Sequence, residues 1–194
     1  MDGSLVPFYG LLTRRVQRAR LAAIAPHIQG AALVLDVGCG LTDLPGRMPG
    51  YVGCDRNAAV LAESRRRFPA ARFVEWDVAA GEPPAELRDG RGFDVVLMAA
   101  LLEHLNEPWR ALGRAASLLG AGGRIVATTP HPWGRLPLQA GAALGLLSHA
   151  ADEEHETLLD RAALEEAGAK AGLALEAYGR FLLGLNQLAV FRLP

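Results

Sequence analysis

Short apolar runs at residues 33–37, 51–54, 72–76, 93–98 and 123–129 alternate with segments of helical period, and this alternation constrains the fold more than any other feature of the chain. Runs of that length, rich in Val, Leu and Ile, read as strands buried on both faces, which requires helices covering both sides of a parallel sheet. The intervening segments supply those helices. Residues 11–28 place Leu12, Val16 and Ala19 on one side and Arg14, Arg15 and Arg18 on another. Asn57 stands where it can cap a helix over 58–68, and Asn106 where it can cap one running through Leu119. That second helix has Pro108 in its first turn, Trp109, Leu112, Ala116 and Leu119 on one face, and Gly120, Gly122 and Gly123 to stop it. After Asp160, the positions Leu164, Ala167 and Ala171 repeat the helical spacing until Gly172. The expected class is α/β, a doubly wound sheet. The last two apolar runs, 173–179 and 187–193, are joined by only seven residues, too few for a crossover helix, so they must close the sheet as an antiparallel hairpin.

The first strand also announces a ligand. Val34-Leu35-Asp36-Val37 runs into Gly38-Cys39-Gly40, and the second ends in Cys54-Asp55. Glycine lets backbone approach a ligand closely, and an acid ending the next strand can accept both hydroxyls of a ribose. An adenosine-containing cofactor is expected. Its identity is open at this point, because Asp55 lies 19 residues beyond Asp36, a spacing that suits more than one such cofactor. A nicotinamide site wants a third glycine, where this chain has Asp43.

Composition removes other classes. A chain of 194 residues, 51% hydrophobic and 21% charged, fits one domain. Its formal charge of −1 gives no global attraction to nucleic acid or to an anionic membrane. Nineteen of its 20 cationic residues are Arg, a skew that reads as codon bias. Cys39 and Cys54 offer neither a disulfide framework nor a zinc spacing, and no metal is expected. The N-terminus has no secretory pattern, and the apolar stretch 136–150 is interrupted by Pro137, Gln139, Gly141, Gly145 and His149 and is too short for a bilayer span. A cytoplasmic protein is expected.

Five segments in order carry a family resemblance: Val34-Leu35-Asp36-Val37-Gly38-Cys39-Gly40, Val52-Gly53-Cys54-Asp55, Phe73-Val74-Glu75-Trp76-Asp77-Val78, Phe93-Asp94-Val95-Val96-Leu97 leading to Leu101-Leu102-Glu103-His104-Leu105, and Leu118-Leu119-Gly120-Ala121-Gly122-Gly123-Arg124. From about residue 33 onward the chain resembles the class I S-adenosylmethionine-dependent methyltransferases, in particular the methyltransferase type 11 group. The resemblance implies a Rossmann-like seven-stranded sheet of order 3-2-1-4-5-7-6 with strand 7 antiparallel. It implies that Asp36, Gly38, Cys39 and Gly40 wrap the amino-acid part of the cofactor, that Asp55 takes the ribose hydroxyls, and that Arg56 lies along the adenine. Asp77 would accept from the adenine amino group, Val78 would add a backbone contact, and Ala99 to His104 would line the methyl-transfer side. The chain departs from the family between Gly40 and Tyr51, where ten residues including Pro45, Gly46, Pro49 and Gly50 leave room for one short turn in place of a full helix.

The methyl acceptor is expected to be a small molecule, a sugar or a lipid-linked compound. After strand 4, Met98-Ala99-Ala100-Leu101 replaces the Asn/Asp-Pro-Pro-aromatic segment with which similar enzymes grip a planar amino group. His104 and His131 are the candidate general bases, each following a strand that ends on the ligand-binding edge. Residues 1–30 are read as a helical cap, with Phe8 and Tyr9 weighed as a cover over the cofactor. Residues 131–156 are read as a variable insertion, its 136–150 part a lid over the acceptor. His155, among Asp152, Glu153, Glu154 and Glu156, reads as part of a solvated acidic turn, Arg65-Arg66-Arg67 as a solvated helix face, and Asp94 as structural. Two rival functions stand beside methyl transfer. One is a cofactor-binding regulatory or partner protein without catalysis, which the plain Ala99-Ala100 pair favours; the other is a nicotinamide oxidoreductase, which the missing glycine and the closing hairpin disfavour.

Overall fold

The computed structural model describes residues 11–88, 90–134 and 159–194. Phe8, Tyr9, the 136–150 stretch and the acidic turn around His155 lie outside them. Seven strands form one sheet: β1 (Val34–Val37), β2 (Tyr51–Asp55), β3 (Arg72–Glu75), β4 (Phe93–Ala99), β5 (Leu119–Pro130), β6 (Ala174–Phe181) and β7 (Asn186–Arg192). Their order is β3-β2-β1-β4-β5-β7-β6. The first five run parallel, β7 is antiparallel to both β5 and β6, and the closing hairpin is thus as the loop length requires.

Helices cover both faces. On one side α1 (Leu11–Ile28) and α2 (Ala58–Arg67) bury Ile24 and Leu61 against Val34, Tyr51, Phe73, Val95, Leu97 and Val126. On the other, α3 (Ala85–Arg88), α4 (Pro108–Ala116) and α5 (Arg161–Lys170) bury Leu87, Leu112 and Leu164 against Leu35, Val96, Ile125 and Phe191. Successive strand residues point to opposite faces, so Leu35 and Val37 enter the second core while Val34 and Asp36 face the first. Asp94 is structural: its Oδ2 accepts from the Ala32 and Leu33 amides at 2.7 and 2.9 Å, and these bonds hold its carboxyl below the usual range.

Local signals worked where their partners are local. Asn57 Oδ1 accepts from the Ala59 and Val60 amides, and Asp160 Oδ1 from Ala163. The Asn106 cap is a correction. The helix begins at Pro108, and the residue before a proline is held out of the helical region, as Glu107 is with φ −126° and ψ 70°, so the helix cannot start a residue earlier. It also ends at Ala116, short of Leu119, because Leu119 pairs with Phe93 as the first residue of β5.

Between β1 and β2 the shortened segment makes a single 3-10 turn, Leu44–Arg47, as its length and prolines require. Gly50 shows how tightly this connection is drawn: a Cβ built there would lie 1.7 Å from the Ala32 carbonyl oxygen. Gly50→Ala is expected to cost about 3 kcal/mol, because the obstruction is backbone and cannot swing away. Denaturant unfolding measures this, and a loss of under 0.5 kcal/mol would show that the connection is slack.

Candidate cofactor site

The carboxyl ends of β1 to β4 surround a cavity of about 410 Å³ lined by Val37, Gly38, Asp55, Arg56, Trp76, Asp77, Val78, Leu101, His104 and Leu105. Each wall follows from local structure. Gly38 turns the chain at the end of β1 with φ +71°, its amide donating to the Cys54 carbonyl at 2.8 Å. Leu101 closes over it, its Cδ1 only 3.0 Å from where a Cβ would stand. Asp55, ending β2, is tied at both oxygens, Oδ2 accepting from the Gly40 amide at 3.0 Å and Oδ1 from Asn57 at 2.9 Å. It thereby joins the glycine turn to the start of α2, and each oxygen keeps lone pairs for a ligand.

Asp77 opens a turn beyond β3 and accepts from the Ala79 amide through Oδ1. The turn is pinned by a residue that sequence reading passed over. Arg114, on α4, donates to the Val78 and Ala79 carbonyls at 2.6 and 2.8 Å and lies beside Glu82. Trp76 is fixed by two hydrogen bonds, its backbone amide donating to the Asp55 carbonyl and its indole Nε1 to that of Gly81. Arg114 acts across the fold, so no local signal marked it; Trp76 and Leu105 stand inside two of the resembling segments but were given no role there.

Six of the residues expected at the cofactor therefore line one cavity: Gly38, Asp55, Arg56, Asp77, Val78 and His104. Four others stand apart from its wall. Gly40 reaches it through its bond to Asp55, and Ala99 packs toward the α1 face. Cys39 is buried in that same core, and Asp36 faces it too, its Oδ2 accepting from the Tyr51 hydroxyl at 2.9 Å. Burial raises the Asp36 carboxyl to about 7 against the Tyr51 bond, with nearby Asp55 adding to the rise. The same burial pushes the Cys39 and Tyr51 groups up, so neither ionises at neutral pH.

The two candidate bases are separated. His104 borders the cofactor cavity, whereas His131 borders another, of about 540 Å³, with Trp133, Asp160, Arg161, Glu165, Tyr178 and Arg180. His131 Nδ1 accepts from the Trp133 amide, and burial followed by Arg180 lowers its pKa. Among the described residues no cluster of His, Cys, Asp and Glu could hold a metal, and no helix is long and apolar enough to cross a membrane. The arginine run is engaged: Arg65 donates to the Phe73 carbonyl, Arg66 pairs with Glu63 and Arg67 with Asp43.

A methyltransferase-domain family model matches residues 35–125, the span from β1 into β5 that builds this cavity. Over that span the chain is similar to the methyltransferase-domain family. It is 34% identical over 117 residues to an uncharacterized methyltransferase of Mycobacterium bovis, covering 57% of this chain and 56% of that protein. Against a trans-aconitate 2-methyltransferase of Afipia carboxidovorans it is 31% identical over 136 residues, 66% of this chain and 50% of the relative. The chain spans about half the length of the curated relatives it matches. In structure it is similar to an O-methyltransferase from neocarzinostatin biosynthesis, solved with S-adenosylmethionine and 2-hydroxy-5-methyl naphthoic acid. That likeness has a TM-score of 0.68 at 18% identity and covers 95% of this chain and 56% of the other.

Proposed function

We propose that this domain binds S-adenosylmethionine in the cavity between Gly38 and Asp77 and transfers its methyl group to a small-molecule acceptor. The observation that carries the reading is the order of groups along one edge: Asp77 beyond β3, Asp55 on β2, Gly38 beyond β1 and His104 beyond β4, all on one cavity. That order matches an adenosine lying across the strands with its amino-acid end over the glycine turn, the switch-point edge where open α/β sheets hold ligands. Asp77 takes the adenine amino group, with Trp76, Val78 and Leu105 as apolar walls and Arg56 along the ring. Asp55 takes the ribose hydroxyls. Leu101, lying on Gly38, keeps water from the reacting side.

The cofactor supplies an already activated sulfonium methyl, so the protein's share of the chemistry is placing a nucleophile in line with it. Single-domain organisation over 1–194 and a cytoplasmic location belong to the same proposal; the two free, buried cysteines fit a reducing compartment. The small-molecule acceptors in the names of the related proteins support that acceptor class, and the net charge of −1 argues against nucleic acid. The test is S-adenosylhomocysteine release from S-adenosylmethionine with a panel of small carboxylates, phenols, alcohols and amines, and with transfer RNA. Turnover of at least one small acceptor and none of the RNA is expected. Cofactor binding without turnover of any acceptor would favour the regulatory-protein reading instead.

A further inference from the structure

Three buried side-chain atoms among the described residues have no hydrogen-bond partner: Arg20 Nε, Glu103 Oε2 and Thr128 Oγ1. Arg20 and Glu103 lie close enough for each to act on the other's charge, and strand and helix geometry brings Thr128 toward them. Arg124 on β5 donates to the His27 carbonyl on α1 at 3.0 Å. Four residues along the strand from there, roughly 13 Å, stands Thr128; seven residues back along the helix, roughly 10 Å, stands Arg20. Because α1 ends just before β1 begins, going back along it also leads toward the carboxyl end of the sheet, where both residues stand. Thr128 pairs with Ala99 at the end of β4, and its carbonyl accepts from the Ala100 amide, three residues before Glu103. Arg20 and Glu103 feel each other's charge, yet Arg20 Nε and Glu103 Oε2 make no hydrogen bond. Unpartnered buried groups are costly, and three together call for a ligand that completes them.

The site lies one step beyond the cofactor cavity. Adenine, ribose and amino-acid positions fall at β3, β2 and β1, so a group held between β4 and β5 is placed where the acceptor must meet the methyl. Its chemistry is selective. Arg20 Nε–H only donates, the Glu103 carboxylate only accepts, and the Thr128 hydroxyl does either. A hydroxyl complements this set, giving its proton to Glu103 Oε2 while accepting from Arg20 and Thr128. An ammonium group would face the arginine, and a carboxylate would face Glu103.

Resting on the cofactor reading above, we propose that Arg20, Glu103 and Thr128 hold a hydroxyl of the acceptor and that Glu103 is the base for its O-methylation. The oxygen–methyl bond forms as the methyl–sulfur bond breaks, the sulfonium becomes a neutral thioether, and the hydroxyl proton passes to the Glu103 carboxylate. Burial raises that carboxyl to about 7, against a hydrogen bond from its own backbone amide and the charges of His104 and Arg20, so it is poised to take a proton near neutrality.

Calorimetry with S-adenosylhomocysteine comes first: no binding to the wild type would sink the cofactor reading itself. With the cofactor product bound, ligand-observed NMR compares phenol, benzoate and benzylamine as probes. Phenol is expected to bind best to the wild type and to lose that preference in Thr128→Val and Glu103→Leu. In turnover of a hydroxyl acceptor, Glu103→Gln should lower kcat about 100-fold and abolish the rise in rate through pH 7, with product-cofactor affinity within twofold of wild type. Equal binding of the three probes, or a Glu103→Gln variant that keeps its rate and pH step, would overturn the proposal. So would a parallel loss of S-adenosylhomocysteine affinity in the variants, which would place the cluster at the cofactor.

Discussion

Asp55→Ala is expected to weaken S-adenosylhomocysteine binding about 100-fold, the largest single loss available at the cofactor cavity. The carboxylate has two tasks. It accepts the Gly40 and Asn57 amides at 3.0 and 2.9 Å, which fixes the glycine turn against the first turn of α2, and it presents its remaining lone pairs to the ribose. Two hydrogen bonds to a charged acceptor, at about 1.5 kcal/mol each, sum to about 3 kcal/mol, or about 100-fold in affinity. Asp55→Asn keeps one acceptor oxygen and should lose about tenfold. The effect on stability should be small, because the two amides lie near solvent and water can replace the carboxylate. Calorimetry with melting curves separates the two effects, and wild-type affinity in Asp55→Ala would remove Asp55 from the site.

Asp36→Asn should make the folded protein more stable at pH 8, by an amount on the order of 4 kcal/mol at most. Asp36 is 3% exposed, and its carboxyl titrates near 7 in the folded chain against about 4 when unfolded. The folded state thus holds the proton more tightly. The stability this contributes is fully present below pH 4 and is lost as pH rises from about 4 to about 7. At pH 8 the wild type carries a buried charge supported by the Tyr51 hydroxyl, whereas the amide keeps that bond and carries no charge. Asp94 has the opposite dependence, its stabilisation falling away as acid protonates it, but it is common to both proteins and cancels in the comparison. Chemical denaturation of wild type and variant from pH 4 to 8 is the check. Curves that stay parallel would show that Asp36 is ionised in the folded state throughout.

Much of the fold was legible because it depends on neighbours in sequence. Asn57 caps a helix whose first amides lie two or three residues away, and seven residues between the last strands leave only a hairpin. Asn106 misled because a proline two residues later moved the helix start, and Leu119 because pairing with Phe93 outweighed its helical spacing. At the site, Gly38, Asp55 and Asp77 could be read from their positions at strand ends. Arg114 could not, since it holds a turn 35 and 36 residues away in sequence. Nor could the approach of Arg20 to Glu103, which depends on how α1 lies against the sheet. The separation of His104 from His131 has the same origin: both follow strands on the ligand edge, but border different cavities.

The central claim is that the edge from Asp77 to His104 holds S-adenosylmethionine. Titration calorimetry of the wild type with S-adenosylhomocysteine and, separately, with NAD tests it most directly. One molecule of S-adenosylhomocysteine per chain should bind, with NAD giving no heat and Asp55→Ala losing the signal. Saturable NAD binding with none by S-adenosylhomocysteine would contradict the account.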